Sequence, residues 1–156
     1  MVLDPIHPDG CIRSDLMFEG TVTVRFSAGH RLLHHGGKCR YPHGHSYRVE
    51  ITLRAAEIGQ EDWIEDFGRA KDIAGKLITE TVDHAFILDS RDTELIGALK
   101  QVHPVRLHIL DEKAPTAERI AEDLHHLLKQ SLPNIYRIDV WETDLQRGSF
   151  IESDSL

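Results

Sequence analysis

A chain of 156 residues with 40% hydrophobic content is long enough for one domain with a substantial core and short for two. Its net charge of −8 argues against a broadly basic, phosphate-gripping surface, so no nucleic-acid partner is expected and any anionic ligand must be met by local cations or a metal. No apolar run reaches bilayer-spanning length, the opening stretch with Asp4, Pro5, Pro8 and Asp9 lacks the features of a secretory signal, and two cysteines, Cys11 and Cys39, cannot build a disulfide framework. The expectation is a cytoplasmic protein with free thiols and no membrane partner.

Residues 1–17 show no sustained periodicity and are read as an N-terminal extension to a single domain over 18–156. From Glu19 the pattern changes: Val22, Val24, Phe26 and Ala28 alternate with Thr21, Thr23, Arg25 and Ser27, the period of a half-buried strand, and His30 shares the parity of the apolar face. After the Gly36-Gly37 turn signal, His45, Tyr47, Val49, Ile51 and Leu53 alternate with polar residues in a second strand, expected to pair antiparallel with the first. An amphipathic helix is expected between Asp66 and Val82, carrying Phe67, Ala70, Ala74, Leu77 and Ile78 on one side. Val105 to Leu110 reads as a short strand or an extended loop. A second helix follows Pro115, with Thr116 as N-cap and Ile120, Leu124, Leu127 and Leu128 as its stripe, ending near Pro133. Ile135 to Thr143 and Phe150 to Ile151 supply the last strand signals. The order β-β-α-(β)-α-β-β, a sheet covered on one face by two helices, is an α+β layout.

The chemistry concentrates between the first two strands, in Cys39-Arg40-Tyr41-Pro42-His43-Gly44-His45. Alternate strand residues project to one face, so His43 and His45 either line a polar face or converge on one ion, with His30 from the adjacent strand as a third ligand. Zinc held by three imidazoles keeps a position open for water or substrate, whereas structural zinc sites fill all four positions with protein ligands. Cys39 is either a small buried hydrophobe or a reactive thiol, since Lys38, Arg40 and a metal nearby favour the thiolate. The spacing from Gly37 through His43-x-His45 to Glu50 also matches half of a cupin metal motif. Glu57 stands where that motif needs glycine, parity turns Glu50 away from His45, and two amphipathic helices fit poorly in a jelly roll.

Six short pieces occur in register: Phe26-Ser27-Ala28-Gly29-His30-Arg31-Leu32, Cys39-x-x-x-His43-Gly44-His45, Trp63-Ile64-Glu65-Asp66-Phe67, Val82-Asp83-His84, Pro115-Thr116-Ala117-Glu118 and Trp141-Glu142-Thr143. Together they resemble the 6-pyruvoyltetrahydropterin synthase and 6-carboxytetrahydropterin synthase family over about residues 18 to 152, and the cysteine-to-histidine interval looks more like the bacterial carboxy-forming branch. The resemblance implies a tunnelling fold (T-fold), in which four-stranded antiparallel sheets with helices outside join in a trimeric barrel and two trimers stack into a homohexamer. It implies a small-molecule pterin substrate, 7,8-dihydroneopterin triphosphate, and Zn2+ as cofactor, held by His30, His43 and His45. It assigns Cys39 as general base, Asp83 and His84 as a proton relay, and Glu142 with Thr116 and Glu118 to the pterin ring. Without the resemblance, Glu142 reads as an exposed strand-end acid, and Thr116 and Glu118 as ordinary helix-start residues. Asp66 is read as structural. Arg31, Lys38 and Arg40 either form a cationic rim for the triphosphate or are solvated side chains. A sister activity giving the 6-pyruvoyl product, and a non-catalytic metal- or pterin-binding protein, are the alternatives.

Overall fold

The computed structural model describes residues 17–153. The extension before Met17, with Cys11, lies outside the described residues. The elements run β1 (Phe18–His30), β2 (His43–Ala55), α1 (Phe67–Thr81), β3 (Phe86–Asp89), α2 (Thr93–Leu99), β4 (Leu107–Leu110), α3 (Ala117–Lys129), β5 (Ile135–Thr143) and β6 (Gln146–Ile151). They build one six-stranded sheet in the order β4-β3-β1-β2-β5-β6. Among the described residues the four antiparallel strands expected are therefore six, and the sheet is mixed: β1 pairs parallel with β3, and β3 parallel with β4. The helices among the described residues number three rather than two.

Both differences have local causes. Ile87, Leu88 and Asp89 of β3 are all buried, so this four-residue strand has no inside-outside alternation to reveal it. The seven residues of α2 bury no side chain and give no apolar stripe. Its start is fixed by Asp92, whose Oδ1 accepts from the Leu95 N–H at 3.2 Å and whose carboxylate takes a two-pronged contact from Arg31 at 2.6 and 2.5 Å. Arg31 is thereby occupied and is not a free cation for a substrate phosphate.

The pair β1–β2 is the spine, in register from Phe18↔Ala55 to His30↔His43. Its alternation puts Val22, Phe26, Ala28, His30, Tyr47, Val49, Ile51 and Leu53 on a buried face. Against this face lie Ala70, Ala74 and Ile78 of α1 and Ile120, Ala121, Leu124 and Leu128 of α3, closed by Ile138 and Val140 of β5. Asp66 caps α1, its Oδ1 accepting from the Arg69 N–H at 2.8 Å, which is the structural role expected. Burying each large aliphatic side chain contributes about 1.5–3 kcal/mol.

The other sheet face is polar along β1, β2, β5 and β6: Thr21, Thr23, Arg25, Ser27, Ser46, Arg48, Glu50, Thr52, Arg137, Asp139, Arg147 and Ser149 project from it. They are cross-linked within the face. Thr21 and Thr52 hydroxyls meet at 3.0 Å, Arg48 reaches Glu50 at 3.1 Å, and Asp139 is met by Arg137, Arg147 and Ser149. Glu50 also accepts from the Trp141 indole N–H at 3.2 Å, on the face away from the histidines, as strand parity requires and as a cupin site does not allow.

Candidate metal centre and substrate cleft

The register His30↔His43 and Ala28↔His45 brings three imidazoles to one end of the spine on its buried face. One ring nitrogen from each lies within 4.8 Å of the others. Backbone carbonyls orient two of the rings: His30 Nδ1 meets the Pro115 carbonyl at 2.8 Å, and His43 Nδ1 meets the Tyr41 carbonyl at 2.8 Å. A carbonyl can only accept, so both Nδ1 atoms carry the proton and both Nε2 atoms present lone pairs. Those two Nε2 atoms face each other at 3.1 Å. His45 Nε2 is buried with no hydrogen-bond partner. Two opposed lone pairs are repulsive by themselves and, with the unpartnered His45 nitrogen beside them, are reconciled by a cation. Two nitrogens about 2.05 Å from a tetrahedral ion stand about 3.3 Å apart, near the spacing observed. The donor set therefore fits a divalent metal of zinc type.

Burial pushes His30 down to about 4; the Pro115 carbonyl works against this and the neighbouring His43 and His45 reinforce it. Burial also lowers His45, opposed by Glu142. Both imidazoles are thus held in the neutral, metal-ligating form.

Glu142 links the triad to a cleft. Its Oε1 lies 3.9 Å from His30 Nε2, and with Leu32, Thr116, Ala117, Glu118, Gln146 and Arg147 it lines a cavity of about 260 Å³. The start of α3 forms one wall because Gly148 of β6 lets it approach: a Cβ there would stand 2.7 Å from the Ala117 carbonyl carbon. Thr116 is the N-cap, its Oγ1 accepting from the Arg119 N–H at 3.4 Å, so its own proton remains free to donate. Cys39 sits in a short 3-10 turn at Lys38–Arg40, partly exposed, and its carbonyl accepts from the N–H of Leu32 at 2.8 Å. The turn is tied to the cleft wall through that bond.

Asp83 and His84 occupy a different place. They are joined at 3.0 Å through His84 Nδ1, and the His84 ring is 82% exposed. Burial acts to raise the Asp83 carboxyl, but the Ser27 N–H and His84 outweigh it and hold the group below its ordinary value. His84 has a left-handed backbone, φ 57°, which costs a non-glycine residue about 1–2 kcal/mol. Its N–H donates to the Ser27 carbonyl at 2.7 Å. The ring faces a hollow of about 540 Å³ whose walls include Ser27, Gly29, Gly44, Ser46 and Phe86 together with His43 and His45 of the triad. That hollow shares no lining residue with the Glu142 cleft.

Three features of the site escaped the sequence: the orienting carbonyls of Tyr41 and Pro115, which no residue type signals; Gln146 and Arg147, brought in by the β5–β6 turn; and Tyr47. The last had a signal, since it continues the parity of His43 and His45.

Fold and site together define a single-sheet α+β protein with a cluster of three histidines suited to a metal ion beside an acid-lined cleft. The profile of the family described as 6-pyruvoyl tetrahydropterin synthase matches residues 19–152. The chain belongs to that family. It is 34% identical over 120 residues to the 6-carboxy-5,6,7,8-tetrahydropterin synthase of Rickettsia conorii, covering 77% of this chain and 84% of the relative. It is 30% identical over 169 residues to the enzyme of that name from Aquifex aeolicus, covering 88% and 99%. Among solved structures, the 6-pyruvoyl tetrahydropterin synthase of Caenorhabditis elegans shares the fold at a TM-score of 0.64 and 22% identity, over 88% of this chain and 97% of that one. An uncharacterized protein of Wolinella succinogenes does so at 0.74 and 22%, over 89% and 100%. Among the described residues, no helix is long and apolar enough to cross a membrane.

Proposed function

We propose that this protein is a cytoplasmic, zinc-dependent carbon-carbon lyase that converts 7,8-dihydroneopterin triphosphate to 6-carboxytetrahydropterin, releasing acetaldehyde and triphosphate, in the queuosine (deazapurine) route. The observation that carries the reading is the set of three imidazoles whose ring nitrogens lie within 4.8 Å of one another, with His30 Nε2 3.9 Å from the acid of an adjoining cleft. The relatives from Rickettsia and Aquifex, named 6-carboxy-5,6,7,8-tetrahydropterin synthases, support the carboxy-forming branch, as does the interval from Cys39 to His43.

His30, His43 and His45 are the proposed ligands. Bound there, zinc supplies Lewis-acid polarisation of oxygen on the substrate side chain. Glu142 accepts from adjacent N–H groups of the pterin ring, while Thr116 and Glu118, at the start of α3, hold its edge. Cys39 is the proposed base that takes a proton from a side-chain carbon. His84, with Nδ1–H fixed on Asp83, keeps Nε2 free to accept or return a proton.

The Asp83–His84 hollow, walled in part by His43 and His45, and the Glu142 cleft beside His30 border the same triad without sharing a lining residue, an arrangement that suits a pocket completed between copies. The two sheet edges, β4 and β6, also leave ladder groups for a neighbour. The proposed assembly is a homohexamer, a dimer of trimers, of single domains spanning 18–156. Mass spectrometry of the products from zinc-loaded protein and 7,8-dihydroneopterin triphosphate tests the reading. Acetaldehyde with 6-carboxytetrahydropterin supports it, a three-carbon 6-pyruvoyl product assigns the sister activity, and no turnover leaves a metal- or pterin-binding protein.

A further inference from the structure

The proposed chemistry leaves one polar group beside the triad without a task. Tyr47 is fully buried, 0% exposed, and its hydroxyl has no hydrogen-bond partner. The ring is fixed from three sides. It stacks on Phe26 at 4.7 Å and 14°, and meets His45 edge-on at 5.4 Å and His30 at 6.0 Å. Arg48 pairs with Trp141 across β2 and β5, so Tyr47 and Glu142 come next along the strands on the same face. Tyr47 therefore lies against the His30 and His45 rings and next to the cleft acid, on the buried side of the site.

Packing does not explain it. Phenylalanine would fill the same volume and leave no polar atom stranded, whereas a buried donor without a partner is a standing cost to the fold. The surrounding groups complement a donor: the Glu142 carboxylate and the Nε2 atoms of His30 and His43 offer lone pairs, and Tyr47 offers a proton.

We propose that the Tyr47 hydroxyl donates a hydrogen bond to an oxygen of the ligand seated between the three imidazoles and Glu142, a hydroxyl or carbonyl oxygen on the pterin side chain. It is then a substrate-positioning residue that reads the side chain and not the ring. This inference rests on the pterin reading of the cleft.

The test compares Tyr47→Phe with the wild type in the zinc-loaded protein, by fluorescence titration with two probes: 7,8-dihydroneopterin, which carries the hydroxylated side chain, and 7,8-dihydropterin, which lacks it. The variant is expected to weaken dihydroneopterin about tenfold, the loss typical of one hydrogen bond, and to bind dihydropterin as the wild type does. Zinc content should be unchanged, and the melting temperature of the metal-free variant should equal or exceed that of the wild type, because no bond within the fold is lost. Equal affinity of both proteins for dihydroneopterin overturns the inference. So does an equal loss for both probes with a lowered melting temperature, which would make the hydroxyl structural. A wild type that binds neither probe refutes the reading of the cleft, and the role of Tyr47 with it, whereas a wild type that binds both leaves any failure to Tyr47 alone.

Discussion

Gly148→Ala is the substitution through which the fold most directly controls the site. A Cβ at this position would lie 2.7 Å from the Ala117 carbonyl carbon, 2.8 Å from its Cβ and closer still to the Glu118 nitrogen, where ordinary contact begins at 3.4 Å. Two of these three atoms are backbone and cannot rotate aside, so the first turn of α3 must retreat from β6 by about 0.7 Å or more, an overpacking that costs about 1–3 kcal/mol. For a chain of this size that is about 2–10 °C in melting temperature. The same turn carries Thr116 and Glu118 and follows the Pro115 carbonyl that orients His30. Catalytic geometry displaced on this scale loses about a hundredfold in kcat/KM. Gly75→Ala in α1 is the matched control: nothing lies within 4 Å of its Cβ, and exchanging a helical glycine for alanine should stabilise the chain by about 0.5–1 kcal/mol. Thermal unfolding and zinc titration of both variants decide the matter. A Gly148→Ala protein that melts within 1 °C of the wild type, with normal zinc affinity, would refute the argument.

The remaining predictions concern charge and chemistry. In metal-free protein His30 titrates near 4 instead of 6.5, so between these values the unfolded chain takes up a proton that the folded chain refuses. Stability should be intact above about pH 6.5 and fall on acidification, by about 2 kcal/mol at pH 5 from His30, with His45 adding in the same direction. Urea unfolding that gives equal stability at pH 7.5 and 5 would contradict this. Purified protein should hold about one zinc per chain by elemental analysis, and alanine at His30, His43 or His45 should sharply reduce it, since three ligands leave none to spare. Retention of full zinc by all three variants would remove the site. Cys39→Ala and His84→Ala should keep zinc and lower turnover by about a hundredfold or more, and wild-type rates in both would end the proton-transfer assignment.

The long elements were legible because each buries one face. The alternation through Val22, Phe26 and Ala28, the stripe Ile120, Leu124, Leu128, and the caps Asp66 and Thr116 all write their environment into residue type. The strand β3 and helix α2 left no such mark, one being buried on every side and the other burying nothing. At the site, His30, His43 and His45 could be placed on one face by parity because they stand on paired strands. Thr116 and Glu118 stand together at the start of α3 but Glu142 comes from β5, and only the family resemblance connected them before their common cleft was seen. Arg31 shows the limit of reading charge from sequence. It stands next to a histidine of the triad and reads equally as a substrate cation, but Asp92, sixty-one residues on, takes it up.

The two unlike faces of the spine also bear on how the chain avoids misfolding. If β1 slipped by one residue against β2, every side chain on it would change sides. Arg25 and Thr23 would turn into the layer that now holds Val49 and Ile51, and Phe26 would face water. Such a competitor is penalised along the register from Phe18↔Ala55 to His30↔His43, and most heavily where an arginine would be buried unpaired. Only the native alignment sets His30 directly across from His43, so the rejection of slipped states is also what assembles the three nitrogens before any metal arrives.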